Sequence, residues 1–367
     1  VEANEQPCGT FGVHHKLPIL KTLYDAKQCA FLANTGFLIE PFDTVDEFKK
    51  KAKKIPKGIG DHRGAQTHAQ TVDARSVSSP GVLGRLMKQL STKKKSPYKT
   101  NLFSFNNMKI TEGGMTSPYI LSKTSTTGIP QFKQYSQYQD IIANVTSRGS
   151  HSHFANTISN SISSALEQTE ELATLMEGVK LTKTFNVDRE INSAFNQISK
   201  IIKLRDELKL ERAGFIASVY GFDTHQSFDD QTSLHFDRIN SAISTFKEEM
   251  DAQNMWDNVA ILLVSDFGRT ITSNGKGTDH GWGGNYAVVG GKVNGGKILG
   301  KYPTKLGNDG ELNIGRGRII PSTGWEGVWS GLSEWMGVEN DEELTQVLPN
   351  LKNFPESKLF RRDELFK

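Results

Sequence analysis

An α/β fold, with a mostly parallel central sheet flanked by helices, is what this sequence predicts, and three observations carry the prediction. Apolar runs long enough to be buried on both faces recur in the C-terminal half, above all Val259-Ala260-Ile261-Leu262-Leu263-Val264. Segments of helical periodicity alternate with those runs. The runs end in clusters of Gly, Asp and His, residue types that gather beyond the carboxyl ends of strands in open α/β sheets.

Taken in order, Lys16 to Lys27 reads as a short helix with Leu17, Ile19, Leu20 and Leu23 on its apolar face. Ala30-Phe31-Leu32-Ala33 reads as a buried strand that stops at Asn34-Thr35-Gly36. Lysines then crowd Asp46 to Lys57, and a second cluster holds Lys93, Lys94, Lys95 and Lys99. Such runs read first as solvated faces, and secondly as a docking patch for an acidic polysaccharide. Ser117 to Gln139 lacks a period and reads as a loop excursion. Together these features predict an insertion around residues 40–150 within a single domain spanning 1–367.

Two long helices are expected next, Ala155 to Val179 and Val187 to Leu208. In the second, Ile191, Phe195, Ile198 and Ile202 form one stripe. A β-rich run, Gly214 to Tyr220, leads into Gly221-Phe222-Asp223-Thr224-His225. A helix from Thr232 to Gln253 carries Phe236, Ile239, Ile243, Phe246 and Met250 on one face. His235, one residue before that stripe, is expected at the surface or its boundary. The run at 259–264 delivers Ser265-Asp266-Phe267-Gly268-Arg269, Tyr286 to Val289 forms another strand, and Gly324 to Gly337 closes with a helix.

Composition sets the outer limits. The 367 residues are 36% hydrophobic and 23% charged, which suits a globular protein rather than a disordered one. A net charge of +3 gives no reason to expect nucleic acid as a partner. No apolar run approaches the roughly 18 residues of a membrane span. Cys8 and Cys29 are the only cysteines, and a disulfide or two free thiols remain equal alternatives. The pair, with the glycosylation sequon Asn144-Val145-Thr146, leans toward an extracellular or cell-surface location.

The chemistry should lie where the strands end. Asp223 and His225 follow one strand, Asp266 the next, and Asp279 with His280 sit in the loop Gly277-Thr278-Asp279-His280-Gly281. Carboxylates and neutral imidazoles are the ligands that zinc and similar divalent ions accept. Each of these residues alone reads first as a turn cap or loop hydrogen-bonder and only second as a ligand. Their convergence on strand ends is what favours a metal site. His151 and His153, flanking Ser152, read as solvated.

The series Gly221 to His225, Trp256-Asp257, Ser265 to Arg269 and Gly277 to Gly281 resembles, in that order, the DUF1501 family. So do Gly290-Gly291-Lys292-Val293-Asn294-Gly295-Gly296 and the closing Val347 to Phe354. Further up, Phe11 to His14 through Gly36 and the turn Gly81-Val82-Leu83-Gly84-Arg85 are similar too. The resemblance implies an alkaline phosphatase-like fold of the phosphatase and sulfatase superfamily, and a metal-dependent hydrolase of phosphate or sulfate esters. It implies that Asp223, His225 and His280 hold one metal ion, zinc before calcium, with Asp266 and Asp279 toward a second. Thr67, in Thr67-His68-Ala69 where the family has Ser-His-Phe, would be the nucleophile, and Arg269 would bind an anionic oxygen.

The chain departs from the family pattern in two respects. It begins beyond the family's first strand with its Gly-rich Asp motif, and Asp266 stands where Glu is more frequent. The missing first ligand, the two-residue match at Thr67-His68 and the lysine-rich insertion support a second expectation: a secreted or cell-surface structural or binding protein with a degenerate site. The expected partners are accordingly an anionic ester or an acidic polysaccharide, with a homo-oligomer left open.

Overall fold

A computed structural model describes residues 1–367 except 107, 115–117, 122–140, 142–143, 145 and 148–151. The excursion expected over Ser117 to Gln139, the sequon's Val145 and His151 fall largely outside the described residues; His153 opens a helix. In chain order the strands are β1 (Cys29–Gly36), β2 (Thr100–Ser104), β3 (Tyr119–Ile120), β4 (Arg212–Ile216) and β5 (Ile261–Leu263), then β6 (Arg269–Ser273), β7 (Thr278–His280), β8 (Gly284–Val289), β9 (Lys297–Leu299) and β10 (Thr323–Gly324). The helices are α1 (Pro18–Asp25), α2 (Val45–Lys49), α3 (His62–Thr71), α4 (Val82–Ser91) and α5 (His153–Glu177), then α6 (Glu190–Lys203), α7 (Phe228–Ala252), α8 (Trp325–Met336), α9 (Asp341–Val347) and α10 (Arg362–Leu365).

The class is α/β, but the expected mostly parallel central sheet is not what forms. The main sheet runs β10-β1-β8-β5, with β9 also on β1. β1 is parallel to β9 and β10 but antiparallel to β8, which is antiparallel to β5. Among the described residues only the small sheet β3-β2-β4 is parallel throughout, and β6-β7 is an antiparallel pair. The reason is a short connection. Residues 290–296 join β8 to β9, too few for the crossover of a dozen or more residues that a parallel pair needs. The two strands therefore run oppositely on either side of β1, and their link crosses the start of β1. A Cβ on Gly295 would lie 2.3 Å from the Cys29 carbonyl oxygen, so only glycine fits that crossing.

Continuous apolar runs mean burial on both faces, whichever way a strand points. Ala30, Leu32 and Val288 enter one core with Leu86, Trp282, Trp325 and Val328. Cys29, Ala287 and Val289 enter the other with Leu23, Met176, Ile201, Phe246 and Met250. The sheet thus divides two cores, α4 and α8 covering one face and α1, α5, α6 and α7 the other. Val82, Leu86, Met87 and Leu90, from the stretch read as an insertion, belong to the first of these cores, and β2 of the same stretch pairs with β4.

Two details differ from the sequence reading, and for the cysteines one of its two alternatives is what forms. His235 is buried under Phe222, because Gly221 leaves room for its ring. Lys93 is buried rather than solvated: its ammonium donates to the Gly337 carbonyl at 2.8 Å and to Glu339 at 2.6 Å. Cys8 is exposed and Cys29 buried, and both are free thiols. Burial pushes the Cys29 thiol up to about 12.

Candidate metal centre

Four segments bring the polar residues together. The loop after β4 turns tightly, the Thr224 and His225 amides donating to Phe222 and Asp223 carbonyls at 2.9 and 3.1 Å. It is fixed to β7 where the Thr278 amide donates to the Thr224 carbonyl. A Cβ on Gly277 would lie 2.4 Å from that carbonyl oxygen, which is why the hairpin approaches through glycine. β5 delivers Asp266, whose Oδ1 accepts the Phe267 amide at 3.0 Å. The β6-β7 pairing sets Arg269 opposite His280. The fourth segment is α3. Asp61 caps it by accepting the Gly64 amide at 2.7 Å, which places His62, its first residue, at the cluster.

Three imidazoles surround Asp223. His225 Nε2 and His280 Nε2 each lie 3.0 Å from Asp223 Oδ1, and 3.0 Å from one another. His62 Nε2 is buried and lies 3.3 Å from Asp223 Oδ2, with no hydrogen bond among the described residues. The opposite nitrogens are committed. His62 Nδ1 meets Asp266 Oδ2 at 2.6 Å, His225 Nδ1 meets Asp279 Oδ1 at 3.2 Å, and His280 Nδ1 meets the Gly60 carbonyl at 2.7 Å. A carbonyl or carboxylate only accepts, so each Nδ1 carries the proton. In the neutral rings all three Nε2 lone pairs then face one carboxylate. Lone pairs crowded against an anion repel, and a positive charge must lie among them. Part of that charge is the Arg269 guanidinium, which meets Asp223 Oδ1 at 2.7 Å; protons on the rings or a metal ion would supply the rest.

The donor set fits a metal ion. His62, Asp223 and His280 offer ligand atoms all within 4.8 Å of one another. Tetrahedral zinc with bonds of about 2.0–2.1 Å sets its ligands roughly 3.3 Å apart, close to the separations around Asp223. Acceptors behind each imidazole are the usual means of fixing a ligating ring. Packing helps as well: the Phe267 ring sits 4.8 Å, centroid to centroid, from both His62 and His280.

Charge is tuned to match. Burial opposes ionisation of Asp223, but hydrogen bonds from Arg269 and His280 and the charge of His225 hold its carboxyl down at about 2. Burial likewise opposes the charge on His62, yet Asp266 and then Asp223 raise it above the ordinary histidine value. Asp279 is lowered by the Asn274 side chain and, against an opposing effect of desolvation, by His225 and Arg316.

Of the residues singled out in the sequence, Asp223, His225, Asp266, Arg269, Asp279 and His280 do come together. Asp266 and Asp279 lie behind imidazoles. Arg269 spends its guanidinium on Asp223, at 2.7 Å, and on the hydroxyl and carbonyl of Thr278. Thr67 lies on a neighbouring cleft of about 450 Å³ that His62 also lines; its hydroxyl donates to the Arg63 carbonyl at 2.9 Å. Sequence reasoning missed His62, Asn274, Arg316 and the Gly60 carbonyl. The one signal for His62 was a helix-capping Asp61 directly before it, in a stretch punctuated by Gly58, Gly60 and Gly64.

The crystal structure of Ps i-CgsB is 12% identical, with a TM-score of 0.42, over 92% of this chain and 71% of that one. No curated protein matches the sequence. The family described as "Protein of unknown function (DUF1501)" matches residues 47–311, well over half the chain and all of the cluster around Asp223 except Arg316. The chain therefore belongs to the DUF1501 family.

Proposed function

We propose that the protein is a metal-dependent hydrolase of phosphate or sulfate esters, related to the alkaline phosphatase and sulfatase superfamily. The observation that carries this reading is the convergence of three Nε2 atoms on Asp223, each ring held from behind by an acceptor. His62, Asp223, His225 and His280 would hold the ion, zinc before calcium. Asp266, Asp279 and the Gly60 carbonyl orient the rings, taking the place of a second ion's ligands. A divalent ion there supplies Lewis acidity, lowering the pKa of an attacking oxygen and neutralising charge on the leaving one. The chain's own residues do the remaining work. Arg269 keeps Asp223 ionised and in place. The guanidinium of Arg63, on the lining of the adjoining cleft, forms no hydrogen bond or ion pair among the described residues and is free to meet the ester's anionic oxygens.

One observation favours the second reading, a surface structural or binding protein with a degenerate site. Thr67 turns its hydroxyl back onto its own helix, and Arg269 is fully engaged. The two readings separate in one experiment. Metal content of the purified protein is measured beside an Asp223→Ala, His280→Ala variant, followed by a screen of aryl phosphates and sulfates. Near-stoichiometric metal lost in the variant, with turnover, supports the hydrolase. Metal without turnover leaves the binding protein, and no metal in either removes the metal site altogether.

A further inference from the structure

A row of contacts crosses the cluster, and a cation stands at each end of it. His62 lies against Asp223, Asp223 against His225, and His225 against Asp279, whose Oδ2 meets the guanidinium of Arg316. Arg63 follows His62 at one end, and Arg316 closes the other. We infer that Arg316, with Lys276 on the neighbouring hairpin tip, forms a subsite for a second anionic group, so that the ester carries at least two. The inference rests on the hydrolase reading for the first group's place, but binding at the second is independent of turnover.

The backbone around Arg316 is the first support. Gly315, Arg316 and Gly317 have φ of 111°, 56° and 72°, and no other three consecutive residues among those described lie in the left-handed region. They form the tip of a tight turn, closed where the Ile314 amide donates to the Arg318 carbonyl at 2.9 Å and the Arg318 amide to the Gly315 carbonyl at 3.1 Å. The tip is pressed onto β6. The Ile271 amide donates to the Gly317 carbonyl at 3.0 Å, and a Cβ on Gly317 would lie 2.7 Å from Ile271. A left-handed arginine is strained, and such strain persists where the surroundings over-determine it, most often at functional sites. Here it aims one side chain at the rim of the cluster. The pair it makes with Asp279 returns little stability, because Arg316 is 59% exposed.

The donors left over are the second. Arg316 engages Asp279 through Nη2, and its Nε and Nη1 form no hydrogen bond among the described residues. Lys276 stands on the tip of the β6-β7 hairpin, its amide donating to Asn274 Oδ1 at 3.0 Å, while the Asn274 side chain donates to Asp279 at 3.0 Å. The exposed Lys276 ammonium forms no ion pair among the described residues. Asp279, Arg316 and Lys276 together therefore leave positive charge in excess, with N–H groups to direct at an oxyanion. The third support is access. The side chains of Asp223 and His225 are 46% and 47% exposed, whereas Asp266, behind His62, is 12% exposed. The cluster thus opens to solvent on the His225 side, where Asp279 and Arg316 lie.

The test is calorimetry on the full chain at fixed ionic strength, with and without zinc. The probes are alkanediol disulfates over a series of chain lengths and the matching monosulfates, which end in a hydroxyl instead of the second charge. At least one disulfate should bind about tenfold tighter than its monosulfate, well beyond the roughly twofold that two equivalent ends give. Arg316→Gln and Lys276→Gln, both at exposed positions, should each remove most of that preference and leave monosulfate binding unchanged. Arg316→Lys should keep part of it. Equal affinity for the two ligands at every length overturns the inference. So does an Arg316→Gln variant that weakens monosulfate and disulfate alike, because Arg316 would then act only by holding Asp279 in place. Hydrolysis of the same esters is followed separately. A disulfate preference that depends on Arg316 without turnover counts against the hydrolase reading and leaves the second-anion subsite standing.

Discussion

Replacing Glu326 with glutamine should make the protein insensitive to a loss of stability that the natural chain suffers as pH rises. Glu326, near the start of α8, is buried at 1% exposure. Its Oε1 accepts from the Asn350 amide at 3.2 Å, and its Oε2 has no hydrogen-bond partner among the described residues. Burial pushes its carboxyl up from the ordinary 4.5 to about 8, with Asp73 adding to the rise and Arg85 opposing it. Between those two values the folded chain holds a proton that the unfolded chain has released. The stabilising effect of that proton is complete below pH 4.5 and is lost as pH rises through 8. The shift corresponds to about 5 kcal/mol at roughly 1.4 kcal/mol per pH unit, a large share of the roughly 5–15 kcal/mol that holds a domain folded.

Glu326→Gln keeps the shape and the acceptor for Asn350 but cannot ionise. Urea unfolding followed by tryptophan fluorescence at pH 5, 7 and 9 measures the difference directly. The variant should match the natural protein within about 1 kcal/mol at pH 5 and exceed it by several at pH 9. Parallel stability profiles for the two proteins would refute the reasoning, because they would mean Glu326 ionises as easily folded as unfolded.

Three further outcomes are expected. Asp266→Asn should weaken binding of a divalent ion about 10- to 100-fold in a chelator competition, since the His62 ring loses the carboxylate behind it; an unchanged affinity would contradict that role. Gly295→Ala should cost about 1–3 kcal/mol in chemical denaturation as the new methyl meets the Cys29 backbone, and a neutral result would show that the β8-β9 link can shift. A thiol reagent should modify Cys8 alone in the native protein and both cysteines after denaturation; a second native equivalent would show that Cys29 is accessible.

Much of the cluster was legible in the sequence because its members border β-rich runs. Asp223 and Asp266 advertise themselves as polar residues where such a run ends, and His280 stands in a Gly-rich loop shortly before one. His62 follows no such run: it opens a helix of mixed polarity beside a lysine-rich stretch, and its partner Asp266 lies 204 positions away. Which acids face the central carboxylate and which stand behind an imidazole was likewise not readable, because that depends on side-chain direction rather than position. Strand existence was legible and strand direction was not. Alternate residues of β1 and β8 enter opposite cores, so the run of apolar residues is the same for either orientation. The clue lay in the Gly-rich link at 290–296, whose shortness forbids a crossover. The burial of Lys93 escaped for a simpler reason, that its acceptors Gly337 and Glu339 come from the far end of the chain.

The distance in sequence between the two sides of the cluster has a thermodynamic corollary. His62 and the carbonyl of Gly60 reach the site from positions 204 and 220 residues away from Asp266 and His280. An ion bound by both sides finds its full set of ligands only after that very long loop has closed, and so has almost no affinity for the open chain. If the proposed ion binds, it would act as a reversible cross-link, shifting the folding equilibrium by about 2.7 kcal/mol when free metal stands a hundredfold above its dissociation constant. The melting temperature of the protein should then rise with the logarithm of metal concentration, so that a thermal scan reads out the completeness of the site without any substrate.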